Sequence, residues 1–292
     1  LLIQAPLGFI EVRKNPSLAG SGSLIRHKWE RGEESPAKLA LIYDLRALII
    51  GILQYRTINI DARLMILGLL LESTEKSVGT EFEMLEKNLP MVLAEYAEML
   101  PHAMKIQVEL EKIEPDYSLK FSVFKDIISA LMPKIIKGRF SECLQEAAEG
   151  LSFKSENPKS DSDIICNLRK FNSLICRPYL KANPNIFENY LVDYAFRTTF
   201  PLKYKSVLLH FREMVCNYLI LKFLILGMAA YHKKLDDDLI VKLFQSFSRV
   251  SAHNSNYLTT IISSLENRNM GDFRALLALL LDGAPDDQNH CP

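Results

Sequence analysis

From Pro36 to Leu281 the apolar residues recur with the 3.6-residue period of an α-helix, and no stretch joins strict alternation to β-branching and turn signals. That pattern constrains the chain to an all-α fold, an irregular bundle or array of about ten to twelve helices. Leu41, Leu45, Leu48, Ile49, Ile52 and Leu53 mark one helix, and Leu64, Leu67, Leu70 and Leu71 mark a second beginning at Asp61, with a short joint at Thr57 to Asn59. A third runs from Thr80 toward Pro101, and Pro90 inside it is expected to kink or divide it. Phe121, Phe124, Ile127, Ile128 and Leu131 define another that opens at Asp116, followed by a short one over Ser141 to Gly150. Further helices are expected over 162–177, 184–199, 204–232, 236–252, 256–267 and 272–281.

Turn formers and the single tryptophan, Trp29, crowd residues 1–35, which carry no helical period and read as an irregular N-terminal segment. Helical subdomains are expected over 36–150 and 164–283, separated by a polar linker or mobile loop at 151–163 and ending in a disordered tail at 284–292. No self-similarity appears at a fixed period, so a strict repeat solenoid is not supported.

Charge and composition exclude several functions. Thirty-five basic residues balance thirty-five acidic ones, so the electrostatic footprint of a nucleic-acid binder is lacking. The strongest apolar run, Tyr218 to Ala230, is interrupted by Lys222 and is shorter than the roughly 20 residues of a membrane span, so no membrane segment is expected. The first residues lack a basic leader and a cleavage site, which leaves the cytoplasm as the default location. Cys143, Cys166, Cys176 and Cys216 lie in helical patterns and read as reduced thiols used for packing, with Cys291 in the polar tail. No glycine-rich dinucleotide turn, phosphate loop, HExxH or GxSxG occurs, and Asp236-Asp237-Asp238 read as a solvated helix start rather than a metal site.

The densest segment is NPNIFENYLVDYAFRTTFP, Asn183 to Pro201. Asn183 is placed to cap a helix and Pro184 to open it. Tyr190 and Tyr194, four residues apart, share a helix face, with Glu188, Asn189 and Asp193 nearby. They read either as core tyrosines with satisfied hydroxyls or as functional polar groups. Two further polar spots follow. Tyr231-His232 ends the most apolar helix, where a histidine is a natural C-terminal cap. Arg249, His253 and Asn254 lie at helical spacing and either converge on one spot or close a helix end.

Together with YDLRALIIGILQYRTINIDARLMILGLLLE (43–72), LILGMAAYHKKL (224–235) and FQSFSRVSAHNSNYL (244–258), this segment resembles the C-terminal half of the bacterial flagellin lysine N-methylases. The resemblance implies methyl transfer from S-adenosylmethionine to lysines of flagellin. Under it Tyr190, Tyr194 and His253 are the catalytic candidates, and Glu188, Asn189, Tyr231, His232, Arg249 and Asn254 the substrate-binding ones. Arg249 and His253 would line a cleft shared with the two tyrosines. The family's N-terminal part carries closely spaced cysteines suited to an iron–sulfur or other metal centre. Here the nearest cysteines are ten residues apart and the chain begins Leu-Leu, so it reads as the C-terminal region of a longer protein, inactive by itself. The rival readings are a non-enzymatic helical interaction module, a flagellin-binding or adaptor domain, and a small-ligand-binding helical regulator.

Overall fold

The computed structural model describes residues 36–77, 82–135, 137–152, 160–198, 200–201, 206–253 and 256–282. The irregular segment expected at 1–35, the tail at 284–292 and most of the loop at 151–163 lie outside them. Among the described residues every regular element is a helix. These are α1 (Pro36–Leu53), α2 (Ile60–Ser77), α3 (Phe82–Met99), α4 (Ala103–Glu111), α5 (Tyr117–Leu131), α6 (Arg139–Gly150) and α7 (Asp161–Phe171). After them come α8 (Arg177–Ala182), α9 (Asn185–Arg197), α10 (Val207–His232), α11 (Asp237–His253), α12 (Asn256–Glu266) and α13 (Phe273–Leu280). A 3-10 turn at Leu100–His102 links α3 to α4 without a break, and a π turn at Asn172–Cys176 links α7 to α8. Eleven continuous rods result.

Local signals explain several starts. Asp116 accepts from the Leu119 amide at 2.9 Å, Ser160 from that of Asp163 at 3.2 Å and Asp272 from that of Arg274 at 3.0 Å. Each side chain satisfies an amide that a helix start leaves open. Asn183 behaves differently from the expectation: it closes α8, its amide donating to Tyr179 and Leu180 carbonyls, and α9 opens two residues later. Pro90 lies inside α3 without ending it, whereas Pro101 falls in the 3-10 turn, where a missing amide is tolerated.

The described residues fall into two compact units that do not follow chain order. The first holds those up to Glu109 together with Asn185–Met214, and the second holds Leu110–Pro184 with those from Val215 onward. In the first unit α1, α2 and α3 pack on one another and α9 lies against α1. Leu45, Ile49, Leu64, Leu67, Tyr190 and Leu191 are buried in its core. Glu75 on α2 accepts hydrogen bonds from the Ser206 hydroxyl and the Leu208 amide, at 2.9 and 3.0 Å, which caps the start of α10.

In the second unit α11 packs on α6, and α5 packs on α6, α7 and α12. Cys143, Cys176 and Cys216 are buried free thiols, as expected of packing cysteines, while Cys166 is disulfide-bonded. Burial pushes the Cys143 thiol up to about 11, with Lys242 opposing, so it stays protonated near neutral pH. The apolar run around Tyr218 belongs to the long helix expected over 204–232. At 26 residues α10 is long and apolar enough to cross a membrane, but 83% of its most apolar window is buried inside the protein. Its Gly227 has a packing reason: a Cβ there would lie 2.7 Å from that of Ala147 and 2.8 Å from the Ala147 backbone. Gly227→Ala is therefore expected to lose about 1–3 kcal/mol of stability by overpacking. Urea titration of the variant checks this, and wild-type stability would mean that α6 and α10 do not approach so closely.

Candidate functional site

Helix α9 carries the signature residues on two buried faces. Glu188, 1% exposed, extends from its first turn to Arg56 of the α1–α2 connection and Arg63 of α2. Arg56 Nη2 donates to Oε1 at 2.7 Å and its Nε to the same oxygen at 3.1 Å, while Arg63 Nη1 donates to Oε2 at 2.8 Å. Arg63 also donates to the Leu53 and Ile58 carbonyls, at 2.8 and 2.9 Å, so it closes the turn that Glu188 holds. Both carboxylate oxygens are thus engaged, and a substrate reaching Glu188 has to displace an arginine. Arg63 drew no attention in the sequence.

Further along the same helix, Tyr190 and Tyr194 are 2% and 3% exposed. The Tyr194 ring lies edge-on to the buried His210 of α10, centroids 5.9 Å apart, and Phe200 covers the same imidazole at 4.8 Å. His210 Nε2 is 3.1 Å from Thr198 Oγ1, whose hydroxyl donates to the Tyr194 carbonyl at 2.8 Å. Burial raises the Tyr190 pKa, and Arg197, which lowers it, is opposed by Asp193 and Glu213. The phenol therefore stays neutral through any physiological pH and acts only by hydrogen bonding and shape. Asn189, between Glu188 and Tyr190, is half-buried. The i, i+3 spacing of His210 and Glu213 at the start of α10 was the available signal for their share in this cluster.

A third feature belongs to the same unit. Arg46 of α1 is 5% exposed, its guanidinium carbon 4.7 Å from the centre of the Phe196 ring on α9. Its Nε and Nη2 are buried and carry no hydrogen bond. Burial lowers its pKa, with Tyr43 opposing.

The remaining candidates lie in the second unit. His232 ends α10, and its Nε2 is 3.1 Å from Glu146 Oε2, while Lys242 donates to Glu146 Oε1 at 2.8 Å. Burial alone would raise the Glu146 pKa, but Lys242 and His232 outweigh it and hold the carboxyl below its ordinary value. Tyr231 is exposed, its ring edge-on to His232. Arg249 is exposed on α11, which ends at His253. The His253 side chain and all of Asn254 lie outside the described residues. The structure thus brings Glu188, Asn189, Tyr190 and Tyr194 onto one helix of the first unit, and it assigns Tyr231, His232, Arg249 and His253 to the second. Among the described residues no three of His, Cys, Asp and Glu gather as a metal site would need.

Helices as the only regular elements among the described residues, two compact units and a buried tyrosine–histidine cluster in the first of them define an all-α protein. The profile of the FliB lysine N-methylase C-terminal domain matches residues 46–279, and the chain belongs to that family. Neither the curated proteins nor the solved structures provide a match.

Proposed function

We propose that this chain is the helical C-terminal region of a bacterial, cytoplasmic enzyme that transfers methyl groups from S-adenosylmethionine to lysine side chains of flagellin. The observation that carries this reading is the family match across 46–279. The donor supplies, when bound, a methyl group on a sulfonium centre. The described residues fit it at one point, the two buried N–H groups of Arg46 that lack an acceptor. The lysine amine has to be neutral to accept a methyl group, and in water its pKa of about 10.4 keeps it charged. Tyr190 and Tyr194 contribute hydroxyls and two apolar rings in a setting without bulk water, which favours the neutral amine and orients its lone pair. With the Tyr190 pKa raised further by burial, that phenol is no base, so its role is positioning.

A second reading, a helical module that binds flagellin without chemistry, is favoured by the depth of both tyrosines. The double variant Tyr190→Phe/Tyr194→Phe separates the two readings, because it keeps the rings and removes only the hydroxyls. Enzymatic use predicts that turnover of the full-length protein falls on the order of tenfold or more, as for loss of a positioned polar contact, while the thermal midpoint moves little. Unchanged turnover with normal flagellin binding would remove the tyrosines from the site.

A further inference from the structure

Two buried arginines of the first unit are treated in opposite ways. Arg63, 6% exposed, spends its guanidinium on the Leu53 carbonyl, the Ile58 carbonyl and Glu188. Arg46, 5% exposed, has the ring of Phe196 against its guanidinium and no acceptor at Nε or Nη2. Buried guanidinium groups are normally paired, because removing the charge from water is strongly unfavourable. These two nitrogens are not an arbitrary pair. Nε–H and Nη2–H point the same way and form the edge that grips a carboxylate through two bonds. Arg56 uses that same pair of nitrogens on Glu188.

We propose that the Nε/Nη2 edge of Arg46 is a binding site for the carboxylate of a small ligand and, resting on the proposed function, that this ligand is the methyl donor held by its amino-acid end. The Phe196 ring, its centre 4.7 Å from the guanidinium carbon, restrains the group and helps keep the fork pre-organised. Tyr43, one turn earlier on α1 and 57% exposed, brings the surface within one helical turn of the site. The same carboxylate chemistry would accept an unrelated amino acid, so the source has to be separated experimentally.

The test compares S-adenosylmethionine with its decarboxylated analogue and with free L-glutamate, by calorimetry on the full-length protein and its Arg46→Met variant. S-adenosylmethionine is expected to bind the variant about tenfold to a hundredfold more weakly, the loss appropriate to a bidentate charge-assisted pair. The decarboxylated analogue should bind both proteins alike, and L-glutamate neither. The thermal midpoint of ligand-free Arg46→Met should equal or exceed that of the wild type, since the variant removes a buried charge whose Nε and Nη2 have no protein acceptor. Arg46→Lys, which keeps the charge and loses the fork, should also bind S-adenosylmethionine poorly. Equal affinity of wild type and Arg46→Met for S-adenosylmethionine would overturn the inference while leaving the donor in place. So would a matching loss for the decarboxylated analogue, or a fall in thermal midpoint that marks a structural arginine. Binding of L-glutamate lost in Arg46→Met would keep a carboxylate site and overturn the donor as its ligand. Failure of the wild type to bind S-adenosylmethionine at all would overturn the donor reading and the inference together, a pattern distinct from the others.

Discussion

Glu188→Ala is expected to lower the unfolding free energy by about 3–5 kcal/mol, because it leaves Arg63 as a buried charge whose remaining partners are two carbonyls. Exposure separates the two arginines. Arg63 is almost wholly enclosed, so its charge cannot recover solvation when the carboxylate goes. The Arg56 side chain, 55% exposed, can turn to water, and Arg56→Ala should cost no more than about 1 kcal/mol. The asymmetry between the two arginines is the prediction's content. Chemical denaturation of Glu188→Ala, Arg56→Ala and Arg63→Met measures it. Equal small losses for Glu188→Ala and Arg56→Ala would show that the carboxylate does not hold the α1–α2 connection. A loss of methylation by Arg56→Ala at unchanged stability would instead place Glu188 and Arg56 in substrate binding.

The periodicity of the chain was sufficient for the helices and their buried faces. Leu64, Leu67, Leu70 and Leu71, spaced as one stripe, are all buried, and so are Phe121, Phe124, Ile127, Ile128 and Leu131. What periodicity does not encode is which stripe meets which. Glu188 stands out in sequence as an acid within an aromatic helix, yet its partners lie 132 and 125 residues away, and nothing local names them. Lys222 reads in sequence as a flaw in an apolar run. In the fold it is the cation that meets Asp282, 2.9 Å away. Tyr190 and Tyr194 were legible as neighbours because four residues make a helical turn. His210 was not, since its proximity depends on the chain turning back between α9 and α10. Arg46 was invisible for another reason: an arginine in an amphipathic stripe looks solvated until burial is known.

The second large effect is expected at Asp282, just beyond α13, where the second unit gathers its cations. Lys222 Nζ lies 2.9 Å from Oδ2 and Lys120 Nζ 3.5 Å from Oδ1, and Asn172 of the π turn donates to Oδ1 at 3.1 Å. Lys120, Lys222 and Arg177 also donate to the carbonyls of Leu281, Leu280 and Asp282 in turn. These carbonyls end a helix, where a dipole favours cations. The Lys120 and Lys222 side chains are only 8% and 14% exposed, so removing the carboxylate strands two enclosed charges. Asp282→Asn should therefore destabilise the protein by about 2–4 kcal/mol at pH 7, below the full cost of breaking a buried pair because the carbonyls remain. Burial alone would raise the Asp282 pKa, but Lys222, Lys120 and Arg177 outweigh it and hold the carboxyl well below the usual range. A depressed folded pKa means that the stabilisation is complete above the unfolded value, near 4, and is lost as pH falls through the folded one. The stability gap between wild type and Asp282→Asn should then be constant from pH 5 to 7 and shrink steadily below pH 4. Urea titrations of both proteins from pH 7 to pH 3 read that gap directly, with titration of all other carboxylates cancelling between them. A gap that is absent at pH 7, or that persists undiminished at pH 3, would show that the charge of Asp282 does not hold this corner of the fold.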